Sequence, residues 1–369
     1  MQLNLKNLLK RFDINFTLLI LAITVIGLIN VYSATYNSEQ DSLSRTFIAQ
    51  SIWLLAGWLI FLVMSFIDYK FLQKIAMPFW LLNIVMLVLI FFKGKKIYGA
   101  TRWLDLGFFN YQPSETAKIA IILLLATHLQ KKDALQGLGF KDLITPFLFA
   151  IPPFLLIVKQ PDLGTGMMLL AITVSMVLFM KIKKGPLITA IAAVVIALPV
   201  AWSFALKPYQ KERVMTFLDP SRDPRGSGYN SIQSKIAVGS GESFGKGFLK
   251  GTQAQFDFLP ERHTDFIFSV LSEEHGFTGA ILLLFLFLVL FVLCLRIASN
   301  ARDKFGTLLV IGFSSYIFWH MFVNVGMVIG LLPIVGVPLP LVSYGGTGML
   351  SIMFGLGVIS SVSYRRYLF

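Results

Sequence analysis

The stretch LPERHTDFIFSVLSEEHGFTGAILLLFLFLVLFVLCL, residues 259–295, carries two messages side by side. From Leu271 to Leu295 it is mostly apolar over a length that suits a membrane helix, since about 20 such residues cross the hydrocarbon core. Just before this, Glu261, Arg262, His263, Thr264 and Asp265 stand in a row between a proline and the apolar run. The first message concerns the fold, and the second asks why acid, base, imidazole, hydroxyl and acid gather at the mouth of a lipid-crossing segment.

Outward from this stretch, the chain repeats the first message. Of its 369 residues 56% are hydrophobic and only 14% charged, where a soluble protein carries about 25% charge. Mean hydropathy is +0.74. Apolar windows predict ten membrane helices near 14–34, 47–66, 72–92, 114–130, 144–158, 163–180, 186–205, 271–295, 306–332 and 343–363. The fourth carries charge, and the fifth is short and holds Pro152-Pro153. The first has an apolar stretch of about 17 residues, longer than a signal-peptide core, and is expected to be retained. The expected fold is an all-α polytopic membrane protein, one membrane domain over residues 1–369.

The net charge of +13 would suggest nucleic acid in a soluble protein, but here Lys and Arg cluster in short loops and mark topology. With the N-terminus inside, sixteen Lys and Arg, including Lys6, Lys10 and Arg11, fall in cytoplasmic segments and six in short outer loops. Both termini are therefore expected in the cytoplasm, with residues 206–265 forming an extracytoplasmic loop. That loop is rich in Gly, Ser and charge, yet Ile232, Ile236, Val238 and Phe244 predict a folded cap rather than a linker. A lone cysteine, Cys294, inside an apolar run excludes a disulfide framework, and four scattered histidines argue against a zinc cage.

Ionisable residues in or beside membrane helices are costly, so each needs a partner or a task. Glu115 and Lys118, in QPSETAKIA, share a helix face, either as an ion pair fixing a helix end or as functional groups, with Ser114 as a possible cap. Asp162, in KQPDLGTG, suits an N-cap and has Lys159 in reach. Asp265 also has a cap reading. Its crowded setting, near a second acid and an apolar face, equally suits a raised pKa and a general base. GSGESFGKG, residues 239–247, is neither GxGxxG nor a Walker motif, although its amides and Lys246 suit a pyrophosphate. His320 and Asn324 are expected to hydrogen-bond a neighbouring helix. The Pro- and Gly-rich run 331–348 is expected to line a cavity, the setting in which irregular backbone is tolerated at membrane depth.

Six blocks, GATRWLDLG, QPSETAKIA, QPDLGTG, GSGYNSIQSKIAVGSG, GKGFLKGTQAQFDFLPERHTDFIF and GVPLPLVSYGGTG, resemble in order and separation the SEDS family of bacterial cell-wall polymerases, over roughly residues 14–365. Arg262, the RWLDLG block and the short leading tail resemble its elongation-type RodA branch rather than the division-type FtsW branch. The resemblance implies a ten-helix peptidoglycan glycosyltransferase of the bacterial inner membrane that polymerises lipid II on the outer face. It implies an essential acid at Asp265, and dependence on Glu115, Lys118, Asp162 and Trp103. A divalent cation (Mg or Mn), a class B penicillin-binding transpeptidase and other elongation-complex membrane proteins are implied as cofactor and partners. Chemically, Asp265 would deprotonate an acceptor sugar hydroxyl, while Lys118, Arg213 or the cation would stabilise the leaving pyrophosphate. His263 and Lys246 are candidate supporting residues beside them. The competing classes are a lipid II flippase or ion-coupled transporter and a non-catalytic scaffold for a transpeptidase. No inverted repeat is visible, and the richest polar cluster lies on the loop rather than at mid-membrane, which weighs against transport.

Overall fold

A computed structural model describes residues 12–366 except 37–42, 98–99, 106, 108, 133–136, 206, 224–225 and 257. Lys6, Lys10 and Arg11 lie outside the described residues. The chain is an all-α polytopic membrane protein. Each of the ten expected spans coincides with a helix: α1 (Ile14–Thr35), α2 (Arg45–Phe66), α3 (Tyr69–Lys93), α4 (Pro113–Leu129), α5 (Phe140–Lys159), α6 (Leu163–Phe179), α7 (Lys184–Val200), α11 (Ile267–Ser299), α12 (Lys304–Val328) and α13 (Gly346–Arg365). Eight of these regions are long and apolar enough to cross a bilayer, while α4 and α6 have 17 residues each.

Polar residues mark where several helices begin. Asp13, Ser44, Asp68 and Asp303 each accept a bond from an orphan amide in the first turn of α1, α2, α3 and α12. Helix α4 begins instead at Pro113 with Gln112 in the cap position, so Ser114 is inside the helix rather than its cap.

Helix α4 is the axis of the bundle. Residues from Pro113 to Ala126 are buried on nearly every face, and α3, α5, α6, α12 and α13 pack around it. A helix that is apolar all round must be enclosed in this way. Close approach elsewhere depends on small residues: a Cβ on Gly57 would meet Met353, and one on Gly357 would meet Phe61, where α2 lies against α13. At the other extreme, the apolar window of the span beginning with α7 has no buried residue among those described.

Two features were not legible as periodicity. The connection from α3 to α4 is a small antiparallel sheet, β1 (Gly94–Ile97), β2 (Ala100–Asp105) and β3 (Asn110–Tyr111). Helix α11 begins at Ile267 but is broken at Gly276, whose φ of 64° and ψ of −163° are not helical. At that break the loop backbone substitutes for helical bonding. Phe277 N donates to Glu242 O at 2.8 Å, and Lys246 N to Glu273 O at 3.0 Å. A kink with inserted partners is thus accounted for by its own hydrogen bonds.

The segment between α7 and α11 is folded, as its apolar residues predict. It holds α8 (Pro208–Leu218), α9 (Ser227–Ser240) and α10 (Thr252–Gln255). Helix α9 packs on α11 and α12, and Ser234 Oγ donates to Val328 O at 3.1 Å.

Candidate functional site

Asp265 lies on the strap that enters α11, and the surrounding chain over-determines its position. The Asn324 side-chain amide, on α12, donates to Asp265 O and to Val337 O, both at 2.7 Å. Ser343 Oγ donates to Thr264 O at 2.6 Å, and Tyr344 N to His263 O at 2.9 Å. Arg262 Nε ties the same strap to Ala34 O, at the end of α1, at 2.7 Å. The strap is therefore laid against the run 331–345, as expected of a segment whose irregular backbone needs partners. Asn324 does bond to neighbouring chain, but its partners are the strap and this run.

The carboxyl of Asp265 is not a helix cap. Phe266 occupies the cap position of α11, with no side-chain cap bond. Burial pushes the Asp265 carboxyl up to about 7, Glu261 and Asp162 add to the rise, and Arg102 and Arg213 oppose it. An acid held there is poised for proton transfer near neutral pH. Burial also lowers the pKa of His263, whose ring lies 5.7 Å from that of Tyr344.

Asp162 joins this neighbourhood through the 331–345 run. A Cβ built on Gly164, at the start of α6, would lie 2.8 Å from Val335 O, and one on the next residue, Gly336, would lie 3.2 Å from Asp265 Oδ2. One short length of backbone thus separates the start of α6 from the strap. Asp162 caps α6, accepting from Thr165 N at 3.2 Å. Its ionic partner is Arg102 at 3.7 Å rather than Lys159, because β2 brings the guanidinium across to the turn before α6. Trp103 is next to Arg102 on β2 and pairs with Lys95, and the register shifts there so that Arg102 is the extra residue between Thr101 and Trp103. Arg213, on α8, lines a narrow pocket with Thr216, Phe217, Ser231, Leu332 and Ile334 and acts on Asp265 electrostatically.

Glu115 and Lys118 form a sealed polar core in the bundle. Lys118 Nζ lies 2.7 Å from Glu115 Oε1 and 2.8 Å from His320 Nε2. Tyr316 donates to Glu115 Oε2 at 2.8 Å, and Lys118 lies 4.7 Å from the centre of its ring. Lys118 has no exposed surface, and beyond its direct partners it interacts electrostatically with Asp162. Buried charge survives this way because each group is paired and hydrogen-bonded.

Lys246 is placed differently. Its ammonium lies 2.6 Å from Glu273 Oε1, which also accepts from Thr252 N at 2.8 Å and Thr252 Oγ1 at 2.9 Å. The glycine-rich loop is thus clamped to α11 by a buried carboxylate. The sequence reading missed Arg102, Tyr316, Ser343 and Glu273. Arg102 had a signal, since it directly precedes Trp103 in a quoted block; Glu273 was hidden by being assigned to a lipid-crossing span.

No group of three or more His, Cys, Asp or Glu among the described residues stands close enough to hold a metal ion. A divalent cation enclosed by protein alone therefore does not fit the described side chains.

The sequence profile shared by FtsW, RodA and SpoVE, described as cell cycle protein, matches residues 13–368. The peptidoglycan glycosyltransferase MrdB of Escherichia coli K12 is 42% identical over 356 residues, covering 96% of this chain and 94% of the relative. The peptidoglycan glycosyltransferase RodA of Treponema pallidum is 32% identical over 429 residues, covering 96% and 98%. Among solved structures, a chain of a peptidoglycan synthase complex that coordinates polymerization and crosslinking superposes with a TM-score of 0.83 at 30% identity, covering 96% of this chain and 98% of that one. The rod shape determining protein RodA of Thermus thermophilus gives 0.71 at 27% identity, with the same coverage. Matched over nearly its whole length in sequence and in fold, the chain belongs to the FtsW/RodA/SpoVE family, the SEDS proteins.

Proposed function

We infer that the chain is a peptidoglycan glycosyltransferase of the elongation type, polymerising lipid II into glycan strands with Asp265 as general base. The family and the glycosyltransferase relatives support the activity. The observation that carries the assignment of the base is a half-buried carboxyl, pushed up to about 7, fixed through its backbone by Asn324 and under the field of two arginines. The whole chain acts as one membrane domain, with both termini in the cytoplasm and residues 206–265 on the outer face, where the substrate's sugars lie. This orientation rests on the distribution of Lys and Arg.

In the reaction, the acceptor sugar hydroxyl attacks the anomeric carbon of the donor. The new C–O bond forms as the bond to the lipid pyrophosphate breaks, and Asp265 takes the hydroxyl proton. An α-linked donor giving a β-linked strand undergoes inversion, which needs one carboxylate as base. Negative charge grows on the departing pyrophosphate, and Arg213 supplies positive charge on the loop side. Lys118, sealed by Glu115 and His320, supports the site from within and does not meet the substrate. His263 shapes the strap as a neutral ring, and Trp103 offers an aromatic face on the hairpin. Lys246 serves by holding the loop to Glu273. Because the described side chains form no cage, a Mg or Mn ion would be held chiefly by substrate phosphates and water, as Mg commonly is.

The structural relative from a synthase complex supports a transpeptidase partner, for which a class B penicillin-binding protein is the expected kind, along with other elongation-complex membrane proteins. The test is polymer formation from purified lipid II by purified protein with its cognate transpeptidase. Polymer of many disaccharide units is expected. Scrambling of labelled lipid II across proteoliposomes without polymer would favour a flippase, and neither polymer nor scrambling would favour a scaffold.

A further inference from the structure

Arg102 uses every part of its guanidinium at one turn. Nε donates to Gln160 O at 3.4 Å, one Nη donates to Pro161 O, and the other Nη lies 3.7 Å from Asp162 Oδ1. These two hydrogen bonds and one ion pair fall on three successive residues, the whole connection between α5 and α6. Gln160 is itself anchored, donating from its side chain to Leu87 O on α3 at 2.9 Å. A planar fork with fixed donors suits such a task, and a lysine does not reproduce it. The Arg102 side chain is 21% exposed and that of Asp162 5%, so their attraction is only partly screened.

The same guanidinium acts on Asp265 electrostatically. Charged groups face Asp265 from four directions: Glu261 on its own strap, Asp162 at the start of α6, Arg213 on α8 and Arg102 on β2. Two acids thus crowd Asp265, and Arg102 is the cation that also binds one of them directly. Without it, buried Asp162 would lose the guanidinium that pairs with it at 3.7 Å.

We infer that Arg102 is a positioning residue of the site, clamping the Gln160–Asp162 turn and pairing its charge with Asp162. This rests on the polymerase reading for its consequence, and on the geometry of the turn for its cause. Arg102 is separate from the proton transfer itself. It acts by fixing one carboxylate and setting the field at the other.

Two substitutions separate the charge from the donors. Arg102→Gln keeps amide donors for the carbonyls but removes the charge; Arg102→Lys keeps the charge but loses the fork. Polymerisation of lipid II is measured against pH for both variants and for the wild type, with the cognate transpeptidase present. Titration of the Asp265 carboxyl is followed in parallel by infrared difference against Asp265→Asn. The acid limb of activity and the infrared midpoint move upward by about one pH unit in Arg102→Gln, because an opposing cation is gone. Both stay near the wild-type position in Arg102→Lys, while its rate falls about 10-fold from lost alignment. An unmoved midpoint in Arg102→Gln overturns the inference, whatever its rate, and reduces Arg102 to a latch for the hairpin. A wild type that makes no polymer would sink the polymerase reading, yet the infrared midpoints would still decide the role of Arg102.

Discussion

Gly336 and Asp265 are so close that a single methyl group would couple them: a Cβ on Gly336 would stand 3.2 Å from Asp265 Oδ2. Gly336 also has a φ of 72°, in the left-handed region that side chains avoid. Gly336→Ala therefore costs about 1–2 kcal/mol in backbone strain and pushes on the carboxylate as well. The expected result is a fall in polymerisation of about 10- to 100-fold with the protein still folded, since small misplacements at a reacting group are costly. Measuring rate and thermal stability together checks this; a full rate in Gly336→Ala would mean the carboxylate is not confined there.

The Glu115–Lys118 pair makes a different demand. Either single change, Glu115→Gln or Lys118→Met, leaves a buried charge or dipole without its partner and destabilises by about 3–5 kcal/mol. The double substitution is expected to recover part of that stability while polymerisation stays low, because the field reaching Asp162 has changed. Thermal unfolding in detergent beside a rate assay separates the two effects. Rates that simply track the amount of folded protein would assign the pair to structure alone.

Asp265 links activity and stability in opposite directions. Its folded pKa, about 7, lies above the value near 4 of an unfolded aspartate. Its neutral form therefore favours the fold, and that contribution is present below about pH 4 and lost as pH rises through about 7. Asp265→Asn is expected to raise the unfolding temperature at pH 8, with the advantage shrinking toward pH 4. Wild-type activity should rise across the same interval as the base ionises. A stability difference independent of pH would contradict the raised pKa.

The loop clamp is expected to behave as one unit. Glu273→Gln weakens bonds to Lys246, Thr252 and Gln253 together, costing about 1.5–3 kcal/mol. Adding Lys246→Met to it should cost little more, because the two share one interaction. Additive losses in a double-mutant cycle would show that Lys246 has a second task.

Much of this was legible in the chain because each kind of information has its own period or position. Apolar length located all ten helices, and Asp162 could be read as a cap because the residue type and its place before an apolar run agree. The strap itself stood out as five polar residues at the mouth of a span. What could not be read was pairing between residues 59 to 201 positions apart. Asn324 meeting Asp265, Tyr316 meeting Glu115 and Ser343 meeting Thr264 depend on how helices pack, and no local pattern encodes that. Lys159 was the nearest cation to Asp162 in sequence, but the hairpin β2 brought Arg102 instead. The break at Gly276 was masked by the hydropathy of the span around it.

The most direct measurement is glycan-strand formation from lipid II by purified wild-type and Asp265→Asn protein, each with the cognate transpeptidase, at a pH above 7. Loss of a general base lowers the rate by about 100- to 10,000-fold, so polymer is expected from the wild type alone, with the variant folded and still binding its partner. Equal polymer from both proteins would contradict the account and move the proton transfer to another residue.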